Sequence, residues 1–157
     1  MLPQSVIDNT PPCYFVDGVQ VQAIAHETAY MPDGTTYHYE DSPMARAIRA
    51  LISASRGDRI DPWHRDEAEV RERALRELTR QADEQAWSYG VMSLAPRLEY
   101  PPQGFAETYA PEDLAETEAA YRDINDAIRL ITLGRVEYRR APDWLPPMIR
   151  RVGDYDM

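Results

Sequence analysis

Prolines and glycines partition this chain before any other residue is considered. Three periodic stretches each begin at a proline and end at a glycine: Pro43 to Gly57, Pro62 to Gly90 and Pro111 to Gly134. Proline suits the first helical turn, where its missing N–H would have no partner. Glycine suits the left-handed residue just past a helix end. The brackets therefore predict three helices. In the first, capped by Ser42, the residues Met44, Ala47, Ile48, Leu51 and Ile52 recur at helical spacing, so one side is expected in the core with Arg46 and Arg49 directed away. The second, capped by Asp61, carries a narrow stripe of Val70, Ala74, Leu78, Ala82 and Ala86, with Leu75 and Tyr89 alongside, among glutamates and arginines spaced for ion pairs such as Glu69 with Arg73 and Glu72 with Arg76. The third buries Leu114, Tyr121, Ile124, Ile128 and Ile131.

Residues 12–41 read as paired strands. Asp17-Gly18 is a two-residue hairpin turn, since both positions tolerate positive φ. Pairing around it places Tyr14, Val16, Val19 and Val21 on one wholly apolar face, and Cys13, Phe15, Gln20 and Gln22 on the other. A second turn, Pro32-Asp33-Gly34, separates Glu27–Met31 from Thr35–Glu40. Tyr30, Tyr37 and Tyr39 are candidates for a cross-strand cluster there. Residues 95–110 form a proline-rich connector whose Leu98, Tyr100, Phe105 and Tyr109 are expected on the core. Val136–Tyr138 reads as a short strand, followed by an irregular arm with Trp144. The expectation is one α+β domain over 1–157: a small N-terminal antiparallel sheet of two hairpins packed on three helices, with an irregular C-terminal arm.

Composition narrows the function. Hydrophobic residues make up 43 % of the 157, a globular proportion, and no run approaches the about 18 apolar residues of a membrane span. No N-terminal segment has the basic and apolar regions of a secretion signal, so a cytoplasmic protein is expected, or a virion component if the gene is a phage's. Cys13 stands alone, excluding an internal disulfide. All 17 basic residues are arginine, a bias that codon usage in a GC-rich genome explains; the chain has no lysine to act as a Schiff base or phosphate ligand. The net charge of −10 disfavours direct contact with nucleic acid or an anionic membrane.

Candidate chemistry is sparse. His26, His38 and His64 match no metal-binding spacing. A two- or four-residue loop in the second hairpin would also set His26 and His38 on opposite faces, and only a three-residue loop would unite them. His64-Arg65-Asp66 matches a kinase catalytic tripeptide, but the accompanying asparagine and glycine-rich elements are absent. Cys13 sits beside Phe15 with nothing to activate it, and the glycines are occupied by turns and helix ends, leaving no phosphate loop. No catalytic residue, metal or cofactor is expected.

Charge distribution carries more. Residues 107–126 hold seven acids (Glu107, Glu112, Asp113, Glu116, Glu118, Asp123 and Asp126) against Arg122 alone, a net −6. Residues 135–151 hold five arginines against Glu137 and Asp143, a net +3. At about 100° per residue, Glu112, Glu116, Asp123 and Asp126 share one side of the third helix. The leading expectation is a non-enzymatic protein that binds a protein partner or its own copies, in an accessory or phage-type assembly role. Its binding residues are Glu112, Glu116, Asp123 and Asp126 with Arg139, Arg140, Trp144, Arg150 and Arg151. Two alternatives stand beside it: a small ligand-binding protein or enzyme around Tyr37, His38, Tyr39 and Glu40, and an acidic inhibitor that mimics DNA.

Overall fold

The computed structural model describes residues 13–56, 61–94 and 111–145. The strands are β1 (Tyr14–Val16), β2 (Val19–Gln20), β3 (Ala23–Ala25), β4 (Thr28–Tyr30), β5 (Thr36–His38) and β6 (Val136–Tyr138). The helices are α1 (Pro43–Arg56), α2 (Glu67–Leu94) and α3 (Pro111–Thr132). The α+β class holds, with one difference from expectation. The strands form two antiparallel three-stranded sheets, ordered β2-β1-β6 and β3-β4-β5, instead of one.

Both predicted hairpins are present. Asp17 (φ 49°) and Gly18 (φ 79°) make the left-handed turn that pairs Val16 with Val19 and Phe15 with Gln20. Tyr14, Val16 and Val21 are buried, whereas Val19, next to the turn, is exposed. The chain passes between sheets at two adjacent amides: Val21 N–H donates to Tyr14 O in the first, and Gln22 N–H to Tyr30 O in the second. A third hairpin joins β3 to β4 through His26 (φ 50°) and Glu27 (φ 63°), which places Glu27 in a turn and not in a strand.

The helix brackets hold in part. The α1 range begins at Pro43 with Ser42 Oγ accepting the Ala45 N–H at 3.1 Å; Gly57 lies outside the described residues. The end of α3 closes on Gly134 (φ +74°), with Arg135 N–H bonded to Leu130 O and Gly134 N–H to Ile131 O. The middle bracket is corrected at both ends. Residues 62–66 are turns, and α2 starts at Glu67 because Asp66, not Asp61, caps it by accepting the Glu69 N–H at 2.9 Å. Asp61 Oδ1 instead accepts the Trp63 N–H in a local turn. Gly90 is inside α2, which continues to Leu94 against α3. Asp66→Ala is expected to destabilise the fold by about 1 kcal/mol in urea denaturation, whereas Asp61 would carry that effect if the helix began at Pro62.

The α1 helix is central. It contacts α2, α3 and strands of both sheets, so Ala45, Ala50 and Ala54 are buried in addition to the expected Ala47, Ile48, Leu51 and Ile52. Arg46 and Arg49 do not point away. They lie against the second sheet, 3.6 Å from Glu40 and 3.5 Å from Glu27, and Arg49 covers the Tyr39 ring. The α2 and α3 helices run antiparallel: Arg71 near the start of α2 reaches Thr132 O, and Thr117 near the start of α3 meets Met92. The buried stripe of α3 is Thr117, Ile124, Ala127 and Ile131. Ile128 and Leu114 are half-buried and Tyr121 is exposed, which corrects its expected place in the core. Similarly Val70, Ala74, Leu78 and Ala82 of α2 are buried, but Ala86 and Tyr89 are exposed. The connector 95–110, with its four aromatic and apolar anchors, lies outside the described residues.

Candidate functional site

The two surface helices treat their carboxylates differently. On α2, Glu69, Glu72, Glu77 and Glu84 each meet an arginine three or four positions away, including Glu72 with Arg76 at 3.0 Å and Glu77 with Arg80 at 2.6 Å. Glu69 lies 3.8 Å from Arg73, the predicted pair, and 2.6 Å from Arg65. That is how a solvated helix face neutralises itself. On α3, Glu118 pairs with Arg122 and Asp126 with Arg129. Glu112, Glu116 and Asp123 have no such cation among the described residues. Glu112, Glu116 and Asp126 are exposed and Asp123 half-buried, along one flank of the buried stripe. Positions 112, 116, 123 and 126 fall within an arc of about 80° around the axis, with Asp123 between Glu112 and Glu116.

The basic counterpart is engaged internally. Arg135 pairs with Asp17 at 2.9 Å, which holds the Asp17 carboxyl below the usual carboxylate range. Arg139 pairs with Glu137 and stacks on Phe15, while Arg140 pairs with Asp143, whose carboxyl it likewise holds down. Trp144 is 80 % exposed. Arg150 and Arg151 lie outside the described residues. Arg140 N–H donates to Glu67 at the start of α2, whereas Glu112 and Glu116 belong to the α3 end that meets Met92. Met92 and Glu67 are separated by about 37 Å along α2. Glu112 and Glu116 therefore sit at the end of the helix pair far from Arg140, whereas Asp123 and Asp126 lie in the half of α3 nearer to it.

The second hairpin does not gather its candidate residues. Its loop is the three-residue Pro32–Gly34, with Met31 N–H bonded to Thr35 O, and Tyr37 faces Ala29 while Tyr30 faces Thr36. Adjacent strand positions point to opposite faces, so Tyr30 and Tyr37 form no cluster, which corrects that expectation. Tyr37 packs on the core. His38 Nδ1 bonds Thr28 Oγ1 at 2.6 Å, Glu40 pairs with Arg46, and left-handed Tyr39 (φ 47°) lies under Arg49. His26, although in phase with His38, occupies the β3–β4 turn. Among the described residues no group of three or more His, Cys, Asp or Glu could hold a metal.

Sequence reasoning missed a buried polar knot. Arg65, 5 % exposed, donates to Ala54 O and Ser55 O at 3.3 Å each, satisfying carbonyls at the end of α1, and to Glu69 at 2.6 Å. Tyr138 Oη accepts the Arg65 N–H at 3.0 Å and donates to Pro62 O at 2.7 Å. Tyr14 Oη and Ser55 Oγ form a short hydrogen bond beside it. The one signal was Arg65 itself, a charge between a turn and a helix. Cys13, buried in the same region, has its thiol pushed up to about 12, chiefly by burial. At pH 8 its alkylation is expected to be about a thousandfold slower than that of a free thiol until the protein unfolds. A fast reaction under native conditions would contradict this.

A cleft of about 380 Å³ opens between the start of α2, the end of α3 and β6. Leu51, Ile131 and Val136 line it with Glu67, Arg71 and Glu137, and none of the second-hairpin candidates reaches it. No helix among the described residues is long and apolar enough to cross a membrane. Comparison with protein-family models, curated proteins and solved structures gives no match. The functional reading therefore rests on the chain's own chemistry.

Proposed function

We propose that this protein is a non-enzymatic interaction protein that docks a basic protein partner on the acidic face of α3. One observation supports the reading above the rest: among the described residues Glu112, Glu116 and Asp123 have no arginine partner, whereas four of the five glutamates of the neighbouring helix do. Uncompensated like charges on one helix face repel one another, and a cationic partner relieves that repulsion. A second copy presenting the same face would add to the repulsion, so the favoured partner is a different chain.

The test is affinity capture from the native host with the wild type and with a Glu112→Gln, Glu116→Gln, Asp123→Asn variant. These side chains lie outside the core, so the variant is expected to fold normally. The wild type is expected to retain a basic protein that binds the variant at least tenfold more weakly, with an affinity that falls as salt rises. Equal binding to both would refute the reading. Capture of a DNA-handling protein that DNA displaces would move it to the DNA-mimic class.

A further inference from the structure

We infer that His64 is a proton-operated clasp that fastens segment 139–145 to the turn at residues 61–66. Its ring reaches two different parts of the chain. Nδ1 lies 2.8 Å from Asp61 Oδ2, and Nε2 lies 3.2 Å from the carbonyl oxygen of Pro142. Both partners accept hydrogen bonds, and the proline offers no N–H in exchange. A neutral imidazole carries one N–H and an imidazolium two. Both bonds therefore form together only when the ring is protonated. In the neutral ring one nitrogen lone pair confronts an oxygen, and one side of the clasp opens.

Charged groups of both joined elements stand around the ring. Asp61 comes from the same turn, and Asp143 from the fastened segment, its carboxyl held down chiefly by Arg140 and also by His64. Arg140 is matched by Asp143, and its Nε donates to His64 O at 3.2 Å. Glu67 of α2 accepts the Arg140 N–H at 2.9 Å. The histidine side chain is 14 % exposed, so water replaces a lost bond poorly. The clasp works beside the Ala141 N–H bond to Trp63 O at 2.8 Å and holds down the segment that displays Trp144. It is closed while the ring is protonated and loosens when the ring gives up a proton. Acidification thus fixes the presentation of Trp144, independently of what α3 binds.

Amide hydrogen exchange on the full chain tests this, with protection factors corrected for intrinsic rates at about pH 5.5 and about pH 8. Protection at Arg140 and Ala141 is expected to fall about tenfold at the higher pH, while Leu78 in α2 stays constant. The His64→Gln variant is expected to show the lower protection at both pH values. Nitrogen NMR of the ring supplies a readout that needs no variant: both nitrogens should be protonated wherever the segment is protected. Protection independent of pH in the wild type, an unchanged pH response in His64→Gln, or a neutral ring with the segment still protected would each overturn the inference.

Discussion

Replacing Leu51 by alanine is expected to destabilise the protein by about 3 kcal/mol and to lower its melting temperature by about 6–12 °C. Leu51 is 1 % exposed on α1, the helix that touches both sheets and both other helices, and it also lines the cleft beside β6. Truncation removes apolar contact and leaves a void that the surrounding backbone, tied by helix and strand bonds, closes only in part. Calorimetry or urea denaturation measures the loss. A change below about 1 kcal/mol would show that α1 is not the hub of the core.

The second large effect is expected at Tyr138, whose hydroxyl is the only group lost in Tyr138→Phe. The ring stays, 5.9 Å from that of Tyr14, so no cavity forms. The hydroxyl serves two buried backbone groups, the Arg65 N–H and the Pro62 carbonyl. Leaving both unpaired is expected to cost about 2–4 kcal/mol, more than a typical exposed hydrogen bond. Burial also pushes the phenol's pKa upward. The unfolded chain releases that proton first, near pH 10 for an ordinary tyrosine, so this contribution is complete below that pH and declines above it. Denaturation of the variant should lack that component of the alkaline decline. A variant as stable as the wild type would mean that water replaces the hydroxyl and the knot is open.

These residues show what was legible in the sequence. Asp17-Gly18 announces its turn because both residues accept positive φ, and Gly134 announces the end of α3 for the same reason. His26-Glu27 adopts a similar left-handed turn without any such signal, because the pairing of Ala25 with Thr28 imposes it from outside. Asp61 and Asp66 are equally good caps in isolation. The choice between them is made by Tyr138, 72 residues beyond Asp66, which uses the Pro62 carbonyl and the Arg65 N–H and so keeps that stretch out of the helix. Local preference cannot see a partner so distant. The outer faces of the helices were more legible, since charge spacing depends on the helix alone: the Glu72–Arg76 pair and the acidic side of α3 both follow from about 3.6 residues per turn. What spacing could not show was the contrast between them, which needed the ion pairs themselves.

The proposed docking of a basic partner on α3 rests on Glu112, Glu116 and Asp123, which have no cation among the described residues. The most direct measurement is the footprint of the captured partner on this chain, read as amide shift changes during a titration. Changes are expected to concentrate at residues 111–126, to weaken with salt and to be absent in the Glu112→Gln, Glu116→Gln, Asp123→Asn variant. A footprint centred on Tyr37–Glu40 or on the cleft around Leu51, with α3 unperturbed, would contradict it.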